Sequence, residues 1–231
     1  MSSIYDDGTY LANNPTYHVE DSQWKVKQII KIMKKNKIEP RSILDVGCGA
    51  GEILNQLYHQ LPKNVEFHGY EISPQAFELA QKISKDRLFF FREDILKNET
   101  IFFDVVLVID VFEHIEDYFC FLRKLRPKGE YKIFHIPLDL SVQTVLRGTP
   151  LLKGRELVGH IHYFTKETAL ASLKDTGYEI LDYFYTPGLI ELPTRDWKRL
   201  LLKLPRKWLF YLNKELTVKI LGGFSLIVLA K

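Results

Sequence analysis

Residues 43–52 read Ile43-Leu44-Asp45-Val46-Gly47-Cys48-Gly49-Ala50-Gly51-Glu52. A short apolar run ends on glycine, and helix-forming sequence follows at once. Glycine lets a backbone turn sharply and lets another molecule approach the main chain closely. The expectation is a buried strand, a tight turn open to a ligand, and a helix. The spacing is GxGxG, not the GxGxxG of nicotinamide-dinucleotide sites, and Asp45 stands just before the glycines.

Working outward, the flanking chain alternates between strand and helix patterns. Residues 17–37 read as a helix, with Trp24, Ile29, Ile32 and Met33 near one stripe and lysines on the rest, ended by Pro40. Strand patterns fall at 42–47, 65–72, 88–92, 103–110, 130–136, 178–185 and 224–229. The stretch 103–110 is almost wholly apolar, as a parallel strand buried on both faces requires. Helices are expected at 52–61, at 73–85, where Ser73 caps and Pro74 opens the first turn, at 117–125, and from a Thr165 cap to about 177. This order predicts a single α/β domain over 1–231, a doubly wound and mostly parallel seven-stranded sheet. Three segments stand outside the alternation. They are an N-terminal helix or lid (1–40), an irregular substrate-side loop (138–162) and a basic helical insertion between the last two strands (193–223).

Composition narrows the class. Of 231 residues 46% are apolar and 26% charged, with a net charge of +3, ordinary for a globular domain and short of a nucleic-acid binder's basic excess. The two cysteines, Cys48 and Cys120, form neither a metal-ligand spacing nor a disulfide framework, so no metal site is expected. No run of about 18 apolar residues and no signal-like start is present, which predicts a cytoplasmic protein.

Two acids strengthen the reading of the glycine turn. In an open α/β sheet, ligands lie outside the C-terminal ends of the strands. Glu71 ends the second strand, placed to accept both hydroxyls of a ribose, and Asp94 ends the third, placed to accept an adenine amine. Taken singly, each acid reads equally well as a solvated strand end. Together with the turn they resemble the class I S-adenosylmethionine-dependent methyltransferases, over roughly residues 17–186 and the final strand. That family is Rossmann-like, and the resemblance implies an antiparallel last strand, S-adenosyl-L-methionine as cofactor, and activity on a small molecule. It implies cofactor contacts from Asp45, Gly47, Cys48, Gly49 and Gly51, from Glu71 and Ile72, from Asp94 and Ile95, and from Asp110 and Val111.

A sulfonium methyl is already electrophilic, so positioning and exclusion of water dominate, with a general base helping a hydroxyl acceptor. His59, His68 and His135 fall inside a helix or strands and read as structural. His114 follows the fourth strand; relatives resembling quinone O-methyltransferases carry a Glu-His pair there, matched by Glu113 and His114, though capping or packing explains the pair as well. His160 and His162, in Gly159-His160-Ile161-His162, lie over the methyl end of the cleft, and period-two alternation predicts both imidazoles on one side. His160 is the favoured base or acceptor contact. Tyr17, His18 and Trp24 form an aromatic cover over the acceptor, or simply pack an amphipathic helix.

Residues 195–219 hold eight basic residues against two acidic ones, interleaved with Trp197, Trp208 and many leucines. Pro205 is expected to split this stretch into two short helices. It reads either as a solvated cap or as an amphipathic element for an anionic membrane surface or a lipid-linked acceptor. The primary expectation is methyl transfer to a small-molecule or saccharide-type acceptor, at oxygen. The rival is a non-catalytic module that uses this insertion to bind a membrane or partner. A nucleic-acid acceptor is not expected, since neither a basic groove nor an Asn-Pro-Pro-Tyr-like tetrapeptide follows the fourth strand.

Overall fold

The computed structural model describes residues 14, 16, 19–194 and 196–231. Helix α1 (Val19–Lys35) leads into β1 (Ser42–Val46), α2 (Glu52–Gln60), β2 (Glu66–Tyr70), α3 (Pro74–Gln81) and β3 (Leu88–Phe91). Then come β4 (Phe103–Ile109), α4 (Tyr118–Leu125), β5 (Gly129–Leu138), α5 (Val142–Arg147), α6 (Thr149–Val158) and α7 (Lys166–Asp175). The chain closes with β6 (Ile180–Thr186), α8 (Gly188–Glu191), α9 (Trp197–Leu212), α10 (Lys214–Leu221) and β7 (Phe224–Ala230).

The seven strands form one sheet in the order β3-β2-β1-β4-β5-β7-β6. The first five are parallel, and β7 lies antiparallel between β5 and β6. Period-two alternation divides the apolar residues between the faces. Leu44, Val106, Val108 and Phe134 pack with Phe112, Leu122 and Leu173 on one side. Ile43, Val105, Leu107 and Ile133 pack with Ile29 and Met33 of α1 and Leu54 and Leu57 of α2 on the other. Strand β4 is buried on both faces, as its apolar run requires.

Three local expectations are corrected. Ser73 stands at the N-cap of α3 without capping it; its hydroxyl bonds Gln75 and its backbone N–H donates to Glu71. The stretch 138–162 is largely helical: Ser141 and Thr144 form a reciprocal capping box that starts α5, and α6 follows after Gly148. Neither helix buries a residue fully, so no apolar stripe betrays them. Pro205 lies inside α9 rather than ending it, and the break comes at Asn213, whose side chain accepts from Leu216 N and caps α10.

Candidate active site

The C-terminal ends of the central strands open onto two cavities that share Gly47. One, of about 390 Å³, lies between the glycine turn and α1 and is lined by Trp24, Lys25, Asp110, His114, His135 and His160. The other, of about 360 Å³, runs past Tyr70, Ile72, Asp94, Ile95 and Val111.

The turn follows from its glycines. Gly47, Gly49 and Gly51 hold φ values of 68°, 55° and 79°, a region costly for residues with a Cβ. Gly47 N and Cys48 N donate to Tyr70 O at 2.8 and 3.2 Å, stitching the turn to the end of β2. Gly49 N donates to Glu71 Oε2 at 2.8 Å, while Ile72 N and Ser73 N each donate to Oε1 at 2.8 Å. Burial pushes the Glu71 carboxyl up in pKa, and these three N–H groups pull it back. Asp45 is buried with no partner on Oδ2 among the described residues; burial, then the charge of Glu71, pushes it up to about 8. Burial, then Asp45 and Glu71, likewise raises the Cys48 thiol. Asp94 accepts from Leu96 N at 3.0 Å and so caps the short turn Ile95–Lys97; Ile95 is buried and Ile72 exposed.

At the end of β4, Asp110 takes a left-handed φ of 54°, rare for a non-glycine residue. Its carboxylate accepts from His135 Nδ1 at 2.6 Å and pairs with Lys25 Nζ at 2.9 Å. Thr186 donates to His135 Nε2 at 3.0 Å. Burial disfavours the charge on Asp110, but His135 and Lys25 overcome it and hold the carboxyl well below its usual range. Burial likewise opposes the charge on Lys25, and Asp110 and Asp21 outweigh it. Helix α1 is thus pinned over the sheet edge, and Trp24 adds an Nε1–H bond to Glu191 at 2.6 Å and an edge contact with His135. The sequence reading missed Lys25, Thr186 and Glu191, and took His135 for structural. Tyr17 and His18 lie outside the described residues.

Ile161 N and His162 N both donate to Glu113 O at 3.0 Å, clipping the segment after α6 onto the turn after β4. His160 Nδ1–H donates to Asp139 Oδ2 at 2.6 Å and His114 Nδ1–H to Gly159 O at 3.1 Å. The two rings meet edge to face, 4.8 Å between centroids. Burial, then His160, pushes the pKa of His114 down to about 4. His162 does not share this side: its Nε2–H donates to Ile115 O at 2.9 Å and its ring abuts Tyr118. Two successive N–H groups bound to one carbonyl bend the segment, so strand alternation does not apply. The sequence holds no metal-ligand spacing, yet the fold brings ligand atoms of Glu113, His114 and His160 within 4.8 Å of one another. Asp139 was also missed, although it follows the end of β5, where the strand-end rule points.

Residues 44–128 match the family model described as a methyltransferase domain. Over that stretch the chain resembles a methyltransferase domain, and its sheet has the strand order and antiparallel last strand expected from that resemblance. No curated protein sequence matches it significantly. Among solved structures, magnesium protoporphyrin IX methyltransferase from Synechocystis PCC 6803 with bound S-adenosylhomocysteine is 18% identical, with a TM-score of 0.61 over 93% of this chain and 84% of that one. A plantazolicin methyltransferase in complex with S-adenosylhomocysteine is 19% identical, with a TM-score of 0.57 over 97% and 88%. A putative O-methyltransferase from Nostoc punctiforme PCC 73102 is 14% identical, with a TM-score of 0.60 over 92% of this chain and 57% of that one. At these identities the likeness establishes the methyltransferase fold. S-adenosylmethionine is the methyl donor of such domains, and this cleft fits it: the backbone is open at Gly49, where an added Cβ meets nothing within 4 Å, and acids end β2 and β3.

Proposed function

We propose that the chain transfers a methyl group from S-adenosylmethionine to a hydroxyl of a small-molecule or saccharide-type acceptor. The observation that carries this is the His160–Asp139 pair at 2.6 Å, on the wall of the cavity that also holds the glycine turn. The adenosine is assigned to the cavity of Ile72, Asp94, Ile95 and Val111, with Glu71 on the ribose, and the methionine to the Asp45, Gly47, Cys48, Gly49, Gly51 and Asp110 side. S-adenosylmethionine supplies a sulfonium methyl, whose carbon–sulfur bond breaks with its electron pair left on sulfur as the acceptor oxygen bonds the carbon. Asp139 fixes the tautomer and orientation of His160, leaving Nε2 to take the hydroxyl proton. Helix α1 covers the cleft and keeps water out, with Trp24 against the acceptor. His114, held neutral by burial, orients the acceptor oxygen. His162 supports the clip to residue 113 rather than the reaction.

The test uses labelled S-adenosylmethionine against phenolic, sugar and isoprenoid-linked hydroxyl acceptors. His160→Ala should lower transfer by about a hundredfold or more while keeping S-adenosylhomocysteine binding; full activity refutes the role. Wild-type protein that binds no S-adenosylmethionine in calorimetric titration would instead favour a non-catalytic module.

One observation supports an acceptor met at an anionic membrane surface. Helix α9 turns two basic side chains inward: Arg206 bonds the carbonyls of Gly222 and Leu221 and the side chain of Gln143, and Lys203 bonds Leu192 O. Apart from Phe210, which is buried against Phe224, its large apolar residues face out, from Leu209 at 40% exposed through Trp197 and Trp208 at 65% to Leu204 at 75%. Leu146 and Leu152 of α5 and α6 are also exposed, and Arg147, Lys153, Lys207 and Lys214 supply positive charge. Such a surface suits the interface of an anionic bilayer. No helix among the described residues is long and apolar enough to cross a membrane. Flotation with anionic vesicles and a blue shift of tryptophan emission are expected; absence of both removes the membrane from the proposal.

A further inference from the structure

We propose that the acceptor is a phenol whose uncharged ring sits in a pocket of about 210 Å³ between α5, α6 and the segment that follows them. This pocket adjoins the cavity of the glycine turn, since Val158 and His160 line both. The inference deepens the hydroxyl-transfer reading and rests on it for its purpose.

The first observation is Gly154. Leu151, Gly154 and Val158 are spaced three and four residues apart and so share one face of α6. That face is half-buried, while residues 152, 153 and 155–157 are exposed. Glycine inside a helix is unfavourable relative to alanine. An added Cβ at Gly154 meets nothing within 4 Å among the described residues, so crowding does not call for glycine there. The missing side chain leaves space on the pocket wall. The Gly154 carbonyl also accepts from Gly159 N at 3.1 Å and His160 N at 3.4 Å, so the same residue sets the position of His160.

The second observation is the chemistry of the wall. Pro150, Leu151 and Val158 are apolar, and the rings of Tyr163 and His160 offer faces and edges to an aromatic partner. Three polar groups on the wall are engaged within the protein. Tyr163 Oη donates to Leu151 O at 3.2 Å, Thr144 Oγ1 donates to Asp139 O at 2.6 Å, and Asp139 Oδ2 accepts from His160 Nδ1 at 2.6 Å. The several hydroxyls of a sugar would lose water here without replacing it. No lysine or arginine lines the pocket among the described residues, and Asp139 repels an anionic group. A cavity of about 150 Å³ takes a benzene ring, so this one takes a single ring with a small substituent. The base suits such a hydroxyl: a phenol, with a pKa of about 10, yields its proton to an imidazole more readily than an alkanol does.

The experiment titrates full-length chain, saturated with S-adenosylhomocysteine, with 4-ethylphenol, methyl glucoside and 4-hydroxybenzoate, by calorimetry and amide chemical shift. Saturable binding of 4-ethylphenol is expected, with shifts centred on residues 151–163 and the other two probes at least about tenfold weaker. Gly154→Val fills the pocket and should weaken 4-ethylphenol by at least about tenfold, and Gly154→Ala by less. Both variants should keep S-adenosylhomocysteine affinity and keep or raise the melting temperature, because alanine and valine exceed glycine in helix propensity. Should Gly154→Val fail to fold, Gly154→Ala carries the decision. No binding of 4-ethylphenol to the wild type, equal binding of either other probe, or undiminished 4-ethylphenol affinity in the folded variants overturns the proposal. None of these readouts needs turnover, so the ring pocket and the His160→Ala transfer test fail separately.

Discussion

Gly51 separates backbone strain from crowding in the cofactor turn. Its φ is +79°, and an added Cβ would lie 2.5 Å from Phe90 Cζ, 2.6 Å from Cε1 and 3.2 Å from Ala80 Cβ. Phe90 is buried against the sheet and has little room to yield. The left-handed backbone costs a non-glycine residue roughly 1–2 kcal/mol. Forcing a methyl into a packed core adds about 1–3 kcal/mol. Gly51→Ala should therefore destabilise by about 2–5 kcal/mol. Gly49 supplies the control. Its φ is +55° and nothing lies within 4 Å of its Cβ position, so Gly49→Ala carries the strain alone. Urea denaturation should show a lower midpoint for Gly51→Ala than for Gly49→Ala at unchanged slope, a difference of about 1–3 kcal/mol. Phe90→Leu removes ring atoms from the collision, so a double-mutant cycle with Gly51→Ala should return a favourable coupling of about 1 kcal/mol or more. Equal destabilisation of the two alanine variants, together with no coupling to Phe90, would refute the crowding reasoning.

Three further outcomes follow from the same geometry. The folded state raises Asp45 from 3.8 to about 8, so it holds that proton more tightly than the unfolded chain does. The resulting stability is complete below the lower value and is lost as pH rises toward the upper one; cofactor-free Asp45→Asn should gain on the wild type in melting temperature across that window. Pro205 cannot donate to the carbonyl four residues earlier inside α9, so Pro205→Ala should stabilise that helix by about 1–3 kcal/mol, seen as slower amide exchange there and not in the sheet. Trp24→Phe removes the 2.6 Å bond to Glu191, costs about 0.5–1.5 kcal/mol, and should speed amide exchange in α1.

The sheet was legible because its central strands announce themselves by an apolar run and a turn residue, as β4 and the 43–51 stretch do. The position of β7 between β5 and β6 was not carried by any local pattern, since pairing partners far apart in sequence leave no periodic trace; family resemblance supplied only its antiparallel sense. Helices α5 and α6 escaped notice because they lack a buried stripe. Cleft acids at strand ends were readable from topology. The Lys25–Asp110–His135 network and the meeting of Glu113 with His160 were not, because they depend on α1 folding over the sheet and on two N–H groups reaching one carbonyl.

The placement of β7 also bears on how the chain is made. Among the described residues β6 pairs with β7 alone, and the free edge of β5 waits for the same strand. Until residues 224–230 leave the ribosome, both strands present unpaired edges, and β5 already carries His135 and leads to Asp139. Synthesis from the N-terminus can assemble the five parallel strands early, but the wall bearing Thr186 and α9 joins them only when the last strand inserts. Assembly of the acceptor side thus waits for β7, and strand-edge exposure, with its risk of aberrant pairing, is concentrated in the interval before that strand is made.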